Sequence, residues 1–516
     1  MNYDASMTYA PNYETQTFHD VLVEQLRNTP WLMLSVGIHV VIAIVLNFMG
    51  AAAGQPVMET VFKVVAEQAP APLDPIPEVE DPKDIEDPKD PTDEQPVPTE
   101  VFAEDPMIDA ESEFDEPVDG DTLNDQPIDN HTVNNSTVGL GSSSGSFGDG
   151  RGGGRTAGPG GTRGKSFQKP LTAGLDWLAR HQSPDGRWDC DAYMGQGAPE
   201  RGPLCTGKGN AMYDVGVTGL SLLAYLGAGN THRQGEYQKT VKAGLKWLKA
   251  QQDAEGCFGS RGDPHFTYNH AVAALAMAEA YGMTHAPAWR TSAQRGIDFC
   301  MKAQNPYKAW RYGVRSGDND SSVTGWMVMA LKSAKLSGLE VNETAMQWAR
   351  DWIVAMTDEE TGRVGYTKRG ERPVRAEGRI ERFPADTSES LTAVGVLTRI
   401  FAGDDPGESA AIKAGAELMA KRLPVWDPEG GRVDMYYWYY ASLALFQCGG
   451  AEWSAWTGKM KSAMIDTQRD DGNFAGSWDP VGPWGEDGGR VYSTALMTMC
   501  MEVFFRYPRV FGTRNK

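Results

Sequence analysis

Basic residues are in short supply in this chain. Its 516 residues carry 48 Lys and Arg against 69 Asp and Glu, so the broad positive face with which a generic nucleic-acid binder matches phosphate charge is missing. The deficit is local. Residues 71–130 hold 22 Asp and Glu with 2 Lys and contribute −20 of the formal net charge of −21; the rest of the chain is nearly neutral. Cysteine is scarce too, with six in the whole chain. That excludes a disulfide framework, because a chain this long needs no staples and four of the six lie inside helical or repeat patterns. Metal-ligand spacing is also absent: His265 and His270 lie near Cys257, but in no recognised zinc pattern. The sequence implies no metal and no cofactor.

What is present begins with an apolar run. Residues 31–53 contain 23 positions without a formal charge, about 35 Å as a helix, enough to cross a hydrocarbon core of about 30 Å. Some thirty polar residues precede it, and the run is longer than the apolar region of a cleaved signal. The expectation is a single retained transmembrane helix at 31–53 and a short cytoplasmic N-terminus at 1–30. The large C-terminal part is expected to be extracytoplasmic, in the periplasm of a bacterial cell and held at the inner membrane. Ser35 and His39 fall at i and i+4, on one helix face, and an intramembrane His implies a partner or a proton path. Residues 54–166 show no apolar periodicity. Residues 71–130 add 11 Pro to their acids, and 139–164 hold 12 Gly in 26 positions. Such compositions cannot bury enough surface to fold and read as a disordered tether. No strand precedes the glycine run, so a phosphate loop is rejected.

From 167 to 510 the chain repeats six times at a period of roughly 50–70 residues, in the range that signals arrays. Each unit has an amphipathic helix, a Gly turn carrying an aromatic, and a second helix apolar all round. The units are marked by Gln182 with Asp185-Gly186 and Trp188, by Gln251 with Gly256 and Phe258, by Gln304 with Trp310, and by Trp352 with Gly362 and Gly365. A degenerate unit follows around Gly415, and the last has Gln468, Asp471-Gly472 and Phe474. A helix apolar on every side must be buried on every side. Six of them are buried together as an inner ring inside six amphipathic helices, an all-α, α6/α6 toroid.

The motifs Gln182-x-x-Asp185-Gly186-x-Trp188 and Gln468-x-x-Asp471-Gly472-x-Phe474 resemble the Gln–Trp repeat of the squalene–hopene cyclases and prenyltransferase β subunits, the terpenoid cyclase-like toroids. The resemblance implies the fold over residues 167–510 and leaves the chemistry open. A cyclase of that family carries Asp-x-Asp-Asp-Thr at the start of an inner helix; Asp318-Asn319-Asp320-Ser321-Ser322 is the nearest match. It would make Asp320 the acid, with Asp318 beside it, although Ser321 replaces the supporting acid. The simpler role for Asp320 is a helix cap, shared with Asp214 and Thr387. The prenyltransferase zinc triplet is absent. The Ser35/His39 helix resembles the N-terminal anchor of TonB-type energy transducers, which implies proton-driven motor subunits of the inner membrane as partners.

Tyr268, Trp326, Tyr437, Trp438 and Tyr492 sit at or near the starts of inner helices and are the candidate ligand pocket, suited to an apolar, glycan or peptide ligand. Cys190 and Cys205 flank a Gly/Pro loop and can pair as a disulfide if the domain is exported. The expectation is therefore a membrane-anchored toroid that binds a ligand or a partner rather than a true cyclase. The alternative is a terpenoid cyclase or related isoprenoid-lipid enzyme using Asp320.

Overall fold

A computed structural model of the protein describes residues 165–504 apart from residue 377. The anchor expected at 31–53, with Ser35 and His39, and the tether up to 164 lie outside the described residues. Among those residues no helix is long and apolar enough to cross a membrane.

Twelve α-helices run through the described residues: α1 (Lys165–Arg180), α2 (Asp214–Gly227), α3 (Gln238–Ala250), α4 (Phe266–Thr284), α5 (Pro287–Ala303), α6 (Ser321–Leu336), α7 (Glu343–Met356), α8 (Ser390–Phe401), α9 (Ala410–Ala420), α10 (Met435–Cys448), α11 (Gly450–Ile465) and α12 (Gly485–Glu502). The even-numbered helices pack in order, α2 on α4, α4 on α6, and so on to α12, which returns to α2. The ring is closed. The odd-numbered helices pack outside it against their even-numbered neighbours. This is the expected α6/α6 toroid.

The alternation follows from sequence. In α4 every residue from Asn269 to Ala280 is buried, six of them alanines, whose small side chains let neighbouring inner helices approach closely. In α3 only Val241, Gly244, Leu245 and Leu248 are buried, a single stripe at helical spacing that faces inward.

Four of the repeat turns lock an outer helix to the next through a glutamine. Gln182 Nε2 donates to the Gly186 carbonyl (2.8 Å) in its own turn and to the Thr240 carbonyl (3.0 Å) in α3. Gln304 does the same with Lys308 and Ala345, at 3.0 Å each. Gln468 bonds Gly476 (2.9 Å) and Pro170 of α1 (2.8 Å), closing the outer layer. The aromatic then turns back under the helix it follows: the Trp188 indole N–H donates to Leu178 O (2.8 Å) and that of Trp310 to Cys300 O (2.7 Å).

Two repeats differ from the sequence reading. In the second unit Gln252, not Gln251, makes the paired bonds, to Gly256 and Ser292. In the last unit the aromatic is Trp478, not Phe474: its indole bonds Met464 O (2.9 Å), and its backbone N–H bonds Thr494 as that of Trp310 bonds Thr324. Four extra residues, including Asp471-Gly472, bulge out of this turn. Phe474 is instead clamped between the guanidinium groups of Arg469 and Arg490. Gly476 takes the place of Gly186. Both have positive φ, and a Cβ there would meet the carbonyl of Ala173 or Ala243 in the next outer helix at 2.0 and 2.4 Å.

Candidate functional site: a cavity at the N-terminal end of the inner ring

The first turns of the inner helices converge on a cavity of about 450 Å³. Gly216, Val217 and Leu220 of α2, Tyr268, Asn269 and Val272 of α4, Ser322 and Trp326 of α6, Ser390 and Leu391 of α8, Tyr436 of α10 and Asp487, Gly488 and Tyr492 of α12 form its walls. Loops add Tyr213, His265, Arg311, Tyr312, Tyr366, Trp484 and the strip Val374-Arg375-Ala376. The strip belongs to the long connection between the fourth repeat turn and α8. It is tied down by Arg375 to Asp434 (3.0 Å, both buried) and by Arg379 to Asp487 (2.5 Å). The connection 189–213 crosses the start of α12: Arg490 N–H donates to Gly207 O (2.8 Å) and Asn210 N–H to Asp487 O (2.8 Å). The crossing needs Gly489, whose φ is +65° and whose Cβ would meet the Gly209 nitrogen at 2.5 Å.

Of the five aromatics expected in the pocket, Tyr268, Trp326 and Tyr492 line it. Tyr437 and Trp438 do not. The Tyr437 hydroxyl donates outward to Met419 O and Arg422 O, and Trp438 packs against Trp426. Tyr436, one residue earlier, faces the cavity, because each residue turns a helix by 100° and sequence leaves the phase of an all-aromatic run undetermined. Trp326 anchors the aromatic wall, stacked on Tyr439 with centroids 5.9 Å apart and edge-on to Tyr440 at 5.3 Å. The sequence reading passes over Tyr312 and Tyr366. Their only signal is position, directly after the repeat motifs Trp310-Arg311 and Gly365.

Asp320 caps α6. Its Oδ1 accepts the Val323 N–H (2.7 Å) and its Oδ2 the Tyr366 hydroxyl (3.2 Å). The side chain is fully buried, and burial raises its pKa to about 7 against the pull of these bonds and of Arg311. It lies behind the cavity wall, with the Tyr366 hydroxyl in front, and that hydroxyl is in turn hydrogen-bonded to Tyr312. Asp318 is exposed and takes no part. The other two expected caps differ: Asp214 is the first residue of α2 and accepts the Cys190 N–H, while the Thr387 hydroxyl donates to Pro384 O, short of α8.

Most polar groups of the lining are already satisfied. Asn269 accepts from Gly216 N–H (3.2 Å) and donates to Met212 O (2.6 Å). Ser322 and Tyr436 bond each other at 2.8 Å, and Tyr213 bonds His265 Nδ1 at 3.0 Å. Burial lowers the pKa of His265.

The remaining candidates are structural. Cys190 and Cys205 are both buried free thiols, so the expected disulfide does not form; the Cys205 thiol donates instead to Asn473 O (3.2 Å). His270 accepts the Phe258 N–H (3.1 Å), the place held by Thr218 and Thr324 in other repeats, and burial lowers its pKa to about 3. Carboxylates of Asp189, Asp191 and Asp214 gather within 4.8 Å, and Arg187 lies 2.9 Å from Asp189 and 3.8 Å from Asp214.

The chain matches no protein-family model and no curated protein. Solved structures resemble it in helical arrangement. They include an α-amylase from Clostridium perfringens (14% identity over 65% of this chain and 97% of that one, TM-score 0.43). Another is the GH76A α-1,6-mannanase from Salegentibacter sp. (11% identity, 66% and 98% covered, TM-score 0.44). A third is a type II terpene cyclase from Scytonema in complex with geranylgeranyl dihydroxybenzoate (13% identity, 66% and 98% covered, TM-score 0.43). At such identities the chemistry of the cavity has to be read from its own residues.

Proposed function

We propose that this protein is a membrane-anchored, extracytoplasmic binding module whose toroid holds an apolar small molecule. One observation carries the reading: a cavity of about 450 Å³ walled mostly by aromatic and aliphatic side chains, in which Asn269, Ser322, Tyr436 and Tyr213 bond their polar groups to the protein. Concave, mostly apolar sites of this size suit small ligands. The direct test is titration of the full chain, held in amphipol, with octanol. Wild type is expected to bind, and Leu220→Trp, which fills the cavity, to lose binding. A wild-type protein that takes up no octanol overturns the reading.

The anchor at 31–53 and the long tether would set the toroid well away from an inner membrane, on its outer side, and the Ser35/His39 face would meet motor subunits there. Protease treatment of spheroplasts that leaves the toroid intact would refute the export. Function preserved with an unrelated anchor helix would refute the motor contact.

A second reading has one observation in its favour. Asp320 is a buried carboxyl with a pKa raised to about 7, joined to the cavity through Tyr366 and Tyr312, as an acid of a terpenoid cyclase would need. Its position behind the wall weighs against direct protonation of a ligand. Cyclised product from polyprenoid substrates, lost in Asp320→Asn, would establish this second reading over the first.

A further inference from the structure

Two lining residues keep a buried donor without an acceptor, Trp484 at its indole nitrogen and Arg311, and only Arg311 carries a charge. Arg375, the other arginine in the lining, has a buried carboxylate at 3.0 Å. Arg311 has none at hydrogen-bonding distance: its Nε lies buried without an acceptor, and the nearest carboxylate oxygen, Asp320 Oδ2, is 3.8 Å away. Both Asp320 oxygens already accept other bonds. The guanidinium lies instead near the rings of Tyr312 and Tyr366, 5.2 and 5.6 Å from their centroids. A buried donor without an acceptor is costly. The first turns of the inner helices end at the same cavity, and helix N-termini favour negative charge. The Arg311 side chain is 31% exposed, and the cation and the helix ends point to a negatively charged complement.

We infer that the ligand of the cavity is an amphipathic carboxylate, its head group held by Arg311 and its apolar body against Trp326, Leu220 and Tyr436. This rests on the apolar-ligand reading above and adds the head group. A planar guanidinium fork matches a carboxylate with two parallel bonds, whereas a diphosphate calls for several cations that the lining does not supply. Asp320 does not neutralise Arg311 fully, because burial keeps part of its population protonated near neutral pH.

The test is calorimetric titration of the full chain in amphipol with four probes of one chain length: octanoate, octanol, octylammonium and octyl phosphate. Octanoate is expected to bind at least about tenfold more tightly than octanol, the scale of one charge-assisted contact, and octylammonium most weakly. Arg311→Gln should erase the preference by bringing octanoate to the level of octanol, and Arg311→Lys should keep part of it. The wild-type ranking tests the inference even if a variant fails to fold. Octanoate binding no more tightly than octanol, or a preference that survives Arg311→Gln, overturns the carboxylate. Tighter binding of octyl phosphate than of octanoate overturns the choice of carboxylate. If none of the four binds, the apolar-ligand reading itself falls.

Discussion

The Tyr366 hydroxyl donates to Asp320 Oδ2 across 3.2 Å, joining the turn of the fourth repeat to the inner helix of the third. The bond sits at the base of the cavity wall. It makes Asp320 part of the scaffold as well as a neighbour of the site.

That position fixes a pH dependence. The pKa of Asp320 is about 7 in the folded protein and about 3.9 in an unfolded chain, so the folded state holds the proton more tightly. The stability this gives is fully present below about pH 4 and is lost as pH rises towards 7. Asp320→Asn keeps a capping oxygen and removes the titration. Its stability relative to wild type should therefore rise between about pH 4 and 7 and then level off, as read by urea unfolding at a series of pH values. A constant difference across that range would show that Asp320 does not titrate there.

The register of the second repeat can be tested with two adjacent glutamines. Gln252→Ala removes two bonds to carbonyls, at 3.0 and 2.9 Å, and should cost about 2 kcal/mol. Gln251→Ala, whose side chain makes no such bonds, should stay within about 0.5 kcal/mol. Equal costs in chemical denaturation would contradict the Gln252 register.

The sixth repeat gives a similar contrast. Trp478 is fully buried and its indole holds Met464 O, so Trp478→Ala should cost about 3–5 kcal/mol. Trp478→Phe, which keeps much of the volume and loses the bond, should cost distinctly less. A mild effect of the alanine change would mean that this turn does not use Trp478.

Thiol chemistry checks the absent disulfide. Five of the six cysteines are buried and Cys448 is partly exposed, and burial raises the pKa of both Cys190 and Cys205. Ellman's reagent should label at most Cys448 in the native protein and all six after unfolding without reductant. A deficit of two thiols after unfolding would restore the disulfide.

Much of this protein is legible in its sequence because the information is local. Apolar periodicity tells an inner helix from an outer one, and a run such as Ala271–Ala278 can only be buried on all sides. Six such pairs call for a closed ring, and the chain closes it through Gln468 and Pro170. Tertiary structure alone decided the rest, because those features depend on phase and on distant segments. The register of Gln252 was set by a carbonyl of the next outer helix, Ser292 O, and that of Trp478 by a carbonyl of the helix it follows, Met464 O. The rotation of α10 turned Tyr436 rather than Tyr437 to the cavity. The connections at 189–213 and 367–389, which have no periodicity, acquired their places only by crossing the ends of helices far away in sequence, and only the tertiary structure set Arg311 3.8 Å from Asp320, whose oxygens accept from Val323 and Tyr366.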